Sequence, residues 1–236
     1  MKLIINEEMR GKYPALRIGI IVAKNVRNQE YLNELKLDCE ETFSKFMQNI
    51  GGQENLESQK NIGIWREVYR SFGMNPKKKK PTAEALLLRT VKSNFVPHIN
   101  PAVDAYLMAE TLHYLPIGGY DIDRIDGDII LRISVGNEDF LGVGSDATEK
   151  TDNGEIVYAD KSRILTRCWN YRDCDYSKID LNTSSLALFV EAPVNEITDD
   201  EVIGTLELIS NNLKKYCNAE TQIKFLNIQN NDINIV

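Results

Sequence analysis

Residues 94–134 read NFVPHINPAVDAYLMAETLHYLPIGGYDIDRIDGDIILRIS, and this stretch decides the fold. Asn100-Pro101 predicts a helix start: the asparagine caps free N–H groups, and proline at the first helical position loses no hydrogen bond. Val103, Tyr106, Leu107 and Met108 give the helix an apolar face, with Asp104 near its positive end. Pro116 stops the helix, since its ring clashes with an α-region residue before it and it offers no N–H. Gly118-Gly119 predicts a turn with a backbone conformation closed to other residues, and a close approach to a neighbour. The run from Asp128 to Ile133 is a strand.

On the N-terminal side, LRIGIIV (16–22) is almost wholly apolar and β-branched, as in a strand buried on both faces. Leu32, Leu35, Cys39, Phe43, Phe46 and Ile50 recur at helical spacing, and Gly51-Gly52 ends that helix. Residues 61–72 predict a helix with Ile64, Val68 and Phe72 inside, broken by Gly73. Thr82 is expected to cap the next helix, with Glu84 in its first turn. On the C-terminal side, strands are expected at 140–143, 155–159 and 163–169, and at 186–191 with Glu191 at its end. Thr198 and Glu201 form a capping box that opens a helix through Tyr216. Residues 221–228 alternate as a last strand, and the tail after them is expected to fray. There is no internal repeat or low-complexity linker. The expectation is a single α+β domain over 1–236, with mixed β-sheets flanked by helices.

A chain of 236 residues with 42% hydrophobic and 27% charged side chains has the composition of a globular protein. No apolar run approaches a membrane span, and the start lacks the apolar core of a signal peptide. The four cysteines form no CxxC pair and there are two histidines, so neither a zinc site nor a disulfide framework is expected. The reading is a cytoplasmic protein with reduced thiols, no metal and no cofactor, whose oligomeric state the sequence leaves open. No phosphate-cradling loop or dinucleotide fingerprint occurs. The net charge of −7 argues against a general DNA or nucleic-acid binder. Residues 60–92, however, hold nine basic side chains against two acidic ones, leaving −14 for the rest. Arg66, Arg70 and the run Lys77, Lys78, Lys79, Lys80 form a candidate RNA-binding patch, with Trp65 and Tyr69 on one helix face beside the arginines. Two readings stay open: contacts to phosphate and bases, or a solvated lysine loop with the aromatics packed inside.

Asn100, Val103-Asp104, Pro116 to Asp121, Arg124-Ile125 and Gly127-Asp128-Ile129 together resemble the B3/B4 domain of the phenylalanyl-tRNA synthetase β chain. Trp65-Arg66, Tyr69-Arg70, Phe72-Gly73, Pro81-Thr82 and Glu84 to Leu86 are similar to its stand-alone members, and the likeness spans roughly 60–192. The resemblance implies a B3/B4-like fold, a tRNA partner presenting its aminoacylated end, and hydrolysis of a mischarged tyrosyl ester. It also implies a site. The family's histidine falls on Gly118, its glycine pair on Cys168-Trp169, and its threonine and asparagine on Tyr106 and Leu107, while its glutamate stays as Glu191.

The candidate catalytic residues are therefore Glu191 and Asp121, as carboxylates able to orient water. Candidate substrate-binding residues are Asn100, Asp104, Gly118, Gly119, Tyr120, Arg124, Arg167 and Trp169, with Gly118, Gly119, Tyr120, Trp169 and Glu191 expected around one pocket. Asp104, Asp121 and Arg124 equally suit helix ends and turn N–H groups. Two functions compete: hydrolysis in trans of a mischarged aminoacyl-tRNA, or a non-catalytic module that binds an amino-acid-like ligand or an RNA end.

Overall fold

The computed structural model describes every residue except Glu30 and Phe95, the latter inside the opening stretch. The chain starts with strand β1 (Lys2–Ile5), helix α1 (Glu7–Lys12) and strand β2 (Arg17–Lys24). Five helices follow: α2 (Asn33–Ile50), α3 (Gln53–Glu57), α4 (Lys60–Ser71), α5 (Thr82–Ser93) and α6 (Pro101–His113). A run of strands comes next: β3 (Ile117–Asp121), β4 (Ile129–Ile133), β5 (Asp139–Phe140), β6 (Glu149–Lys150), β7 (Ile156–Ala159), β8 (Ile164–Arg167), β9 (Arg172–Asp173) and β10 (Leu186–Ala192). Helix α7 (Asp199–Cys217) and strands β11 (Glu220–Asn227) and β12 (Asp232–Asn234) complete the chain.

The local signals act as the physics predicts. The Asn100 side chain accepts the Val103 N–H at 3.0 Å with Pro101 in the first helical position, and Thr198 and Glu201 form the reciprocal capping box of α7. Gly51 ends α2 in the left-handed conformation.

Two sheets carry the fold. The six-stranded sheet runs β12-β1-β4-β7-β8-β9 and is mixed, because β1 and β4 are parallel while the other pairs are antiparallel. The four-stranded sheet runs β11-β2-β10-β3 and is antiparallel throughout. Side chains alternate across a strand, so register sets what each face shows. On the four-stranded sheet, Gly19 and its neighbours face Val202 and Leu206 of α7. The opposite face carries a row Ile20–Phe189–Gly118. The six-stranded sheet answers with a row Leu131–Tyr158–Thr166–Asp173. These rows meet: the Phe189 and Tyr158 rings stack at 5.6 Å and 13°, and Asp173 lies beside Gly118.

Several expectations are corrected. Gly118-Gly119 is no turn but the middle of β3, paired with Phe189 and Leu188 of β10. Close approach, not a positive φ, is the reason for glycine there. A Cβ on Gly119 would overlap the Ala187 carbonyl oxygen and come within 2.9 Å of the Leu188 Cα, whereas one on Gly118 would sit 3.7 Å from the Asp173 carboxylate. Pro81, not Thr82, occupies the N-cap of α5, and Thr82 is its first residue. The tail is not frayed: β12 pairs with β1, and Ile235 is buried. The strands expected at 140–143 and 163–169 are shorter: β5 ends at Phe140, and β8 ends at Arg167, where Cys168 and Trp169 take left-handed φ values of 47° and 71° and turn the chain. Trp65 and Tyr69 are fully buried; Trp65 meets Trp169 edge-on at 5.3 Å, so this pair packs the core and has no ring face left for a base.

The glycine pair gives a direct test by urea denaturation. Gly119→Ala is expected to destabilise by about 3 kcal/mol or more, because backbone of β10 must move to admit the methyl group. Gly118→Ala should stay within about 1 kcal/mol of the parent, since its methyl meets only ordinary contact and the unfolded chain loses freedom.

Candidate functional site

The meeting rows create an enclosed space between the sheets, with Gly118, Tyr120, Tyr158, Trp169, Asp173 and Glu191 on its wall, joined by Thr82, Thr166, Asn170 and Phe189. Its volume is about 10 Å³, the size of one water molecule. Glu191 lies two residues beyond Phe189 on the same face of β10. Its Oε1 accepts the Tyr158 hydroxyl at 2.8 Å, while Oε2 has no hydrogen-bond partner among the described residues. The same is true of the Asn170 amide nitrogen, the Trp169 indole N–H and the Thr82 hydroxyl. Burial pushes the Glu191 carboxyl up to about 7, against the hydrogen bond from Tyr158. A carboxylate tuned to that range, half-satisfied in a closed space, is equipped to exchange a proton near neutral pH.

Asp173 links this space to a second one. It ends the row across the six-stranded sheet, where Thr166 donates to its Oδ1 at 2.5 Å and Thr166 in turn contacts the Tyr120 hydroxyl at 2.5 Å. Burial raises its carboxyl to about 6, against that hydrogen bond. It also lines an open cleft of about 410 Å³ with Asn100, Val103 and Tyr106 of α6, Gly119 of β3, and the segment from Lys178 to Leu181. The cleft forms where edge strands β3 and β9 meet the start of α6. Its rim is apolar and accessible: Ile99, Val143 and Leu181 are 61%, 43% and 52% exposed.

Of the residues expected around one pocket, Gly118, Tyr120, Trp169 and Glu191 line the enclosed space, and Gly119 lines the neighbouring cleft. That space is nearly filled rather than concave, because Trp169 packs among Tyr13, Trp65 and Phe72. Asn100 reaches the cleft. Asp104 does not: it is buried and bound by the Tyr31 hydroxyl and the Ile99 N–H. Asp121 caps a turn, accepting from the Asp123 N–H at 3.1 Å and the Thr183 hydroxyl at 2.8 Å. Arg124 is held by Asp180 at 2.6 Å and Asp121 at 3.3 Å. Arg167 belongs to another cluster, bound by Glu155 at 2.8 Å and Glu149 at 2.9 Å. Its side chain alternates with Thr166 and so leaves the inter-sheet layer.

In the basic segment, Arg66 is ion-paired with Glu57 at 2.7 Å and Arg70 with Glu67. Lys79 is paired with Asp152 at 2.9 Å and Lys80 donates to the Lys77 carbonyl at 2.7 Å. Lys77 and Lys78 are exposed and form no ion pair among the described residues. Sequence reasoning missed Asp173, Tyr158 and Thr166. Tyr158 and Thr166 carry the alternation of inward strand positions, but Asp173, in a two-residue strand, carries no local signal. Among the described residues no cluster of three or more His, Cys, Asp or Glu suits a metal, and no helix is long and apolar enough to cross a membrane.

The raised carboxyl of Glu191 has a thermodynamic sign. The folded protein holds the Glu191 proton more tightly than the unfolded chain, so this contribution is complete below pH 4.5 and is lost as pH rises to about 7. Glu191→Gln should match the parent near pH 4.5 and be the more stable protein at pH 8, by something on the order of 3 kcal/mol. Asp173 and Glu110, pushed up to about 6 and about 8 by burial, add slopes of the same sign. The variant therefore flattens the profile without levelling it. Urea midpoints across this pH range measure the effect.

Comparison with known proteins follows from this geometry. The B3/4 domain profile matches residues 64–228. Among solved structures, an N-terminal fragment of the phenylalanyl-tRNA synthetase β-subunit from Pyrococcus horikoshii is similar, at 11% identity and a TM-score of 0.46. The match covers 93% of this chain and 49% of that one, so the chain spans about half the length of the fragment. A search of curated proteins found no match. With the profile extending over well more than half its length, from α4 to the end of β11, this chain belongs to the B3/4 domain family.

Proposed function

We propose that this chain receives the aminoacyl end of a charged tRNA in the cleft beside Asp173 and hydrolyses the ester in trans. The observation that carries the reading is the shared position of Asp173: one carboxylate lines both the open cleft and the enclosed space that holds Glu191. In this scheme Asp173 holds the substrate ammonium, an ion pair that favours its charged form. An apolar aminoacyl side chain lies along Val103, Val143, Ile179 and Leu181. Glu191 accepts a proton from water through Oε2 as the water oxygen bonds to the ester carbon. The C–O bond to the tRNA 3′ oxygen then breaks, that oxygen takes the proton back from Glu191, and the free amino acid departs. Tyr158 keeps the carboxylate aimed by its hydrogen bond. The enclosed space, about 10 Å³, has room for the attacking water, and Gly118 at the family's histidine position leaves a tyrosyl ester without its imidazole.

The second reading, a binding module without chemistry, is favoured by that same small volume and by glycine where the family's histidine falls. A panel of mischarged tRNAs separates the two. Hydrolysis is expected for small and aliphatic aminoacyl esters and not for tyrosine, with Glu191→Gln slower by about 10²- to 10⁴-fold. Opening the pocket by Gly118→His with Trp169→Gly is expected to restore little tyrosine hydrolysis, because the surrounding groups that would orient the imidazole are absent. Intact esters across the whole panel, with binding retained, would leave the binding module as the function.

The lysine run should act through its two unpaired members. Neutralising Lys77 and Lys78 is expected to flatten the log–log salt dependence of tRNA binding by about 1.4, from roughly 0.7 per single-strand phosphate contact. Neutralising Lys79, already engaged by Asp152, should leave the slope unchanged.

A further inference from the structure

A second cleft, of about 580 Å³, follows the first along one two-stranded ribbon. Gly142 pairs with Cys174, the Val143 N–H donates to the Asp173 carbonyl at 2.9 Å, and the Asp175 N–H donates to the Leu141 carbonyl at 2.9 Å. Val143 and Asp173 border the first cleft, and Leu141 and Asp175 border the second. Two residues along an extended ribbon is about 7 Å, so the two clefts are close neighbours.

The second cleft has its own recognition chemistry. The Arg163 guanidinium carbon sits 3.7 Å from the centre of the Tyr176 ring, and Tyr176 is 44% exposed. Arg163 is exposed and forms no ion pair among the described residues. The carboxylates on this cleft are both engaged, Asp139 by Lys150 and Asp175 by Lys178, each at 2.7 Å. The free charge of the cleft is thus a cation held over an aromatic ring, with the side chains of Phe140, Leu141 and Ile164 as an apolar wall. A guanidinium plane stacks on a base while its edge donates to phosphate.

We propose that this cleft is a nucleoside subsite, in which a base stacks on the Arg163–Tyr176 pair and the attached phosphate meets the guanidinium edge. It rests on the tRNA reading above for the identity of the ligand, the 3′-terminal adenosine, and on the cleft's own geometry for its chemical class.

Adenosine 5′-monophosphate is the probe, titrated into the full chain and followed by amide NMR. Saturable shifts are expected in residues 139–148 and 163–176. Arg163→Gln and Tyr176→Ala should each weaken binding about tenfold or more, the scale of one stacked base, and Tyr176→Phe should bind as the parent does. Both side chains are on the surface, and unchanged spectra elsewhere in the chain verify that the variants fold. Inorganic phosphate alone should bind far more weakly. Equal binding of phosphate and the nucleotide would overturn the proposal in favour of a plain anion site. Shifts absent from these segments, or parent-like affinity in both weakening variants, would also overturn it. Glu191→Gln should bind the nucleotide normally, so loss of ester hydrolysis and loss of this subsite are read in separate assays.

Discussion

Everything in this molecule depends on how two sheets close over one carboxylate. Glu191 stands on a central strand, facing inward, in a layer otherwise made of Phe189, Tyr158, Tyr120 and Trp169. A lone buried carboxylate is costly unless a donor reaches it or it keeps its proton, and here both occur: Tyr158 reaches across from the other sheet, and the proton is held to about neutral pH. The hydrogen bond fixes one sheet against the other, and the ring stack beside it fixes the spacing. With no side chain at Gly118, the same layer has room for Asp173 at its edge. The site is thus a product of sheet packing rather than of any single loop.

Local chemistry explains which parts were legible in the sequence. The caps of α6 and α7, the glycine end of α2 and the apolar β2 are encoded within a few residues, and those elements stand where expected. The α+β class and the family followed from the same 94–134 stretch. What escaped is non-local. Nothing near Lys2–Ile5 announces that its partners are 126 and about 230 residues away, so neither β1 nor β12 is legible locally. Trp65 and Tyr69 could be read either as a stacking face or as core, since helical spacing alone is silent on what lies opposite. Asp173 acquires its position only through the register of four strands in turn.

Cys168-Trp169 joins the two kinds of evidence. Both residues hold the left-handed conformation that glycine adopts most readily. The backbone keeps the path while the side chains change the contents: Trp169 fills the volume that two glycines would leave open.

The pairing of β12 with β1 has a kinetic consequence. Residues 2–4 and 232–234 share an edge of the six-stranded sheet, so this ladder joins segments separated by almost the entire chain. Such a contact closes a loop of about 230 residues and yields its hydrogen bonds only after the intervening structure has shortened the distance. During synthesis β1 has β4 to pair with long before β12 exists, which leaves its other edge bare for an interval. That edge, short and carrying Lys2, is open to unwanted strand pairing until β12 docks.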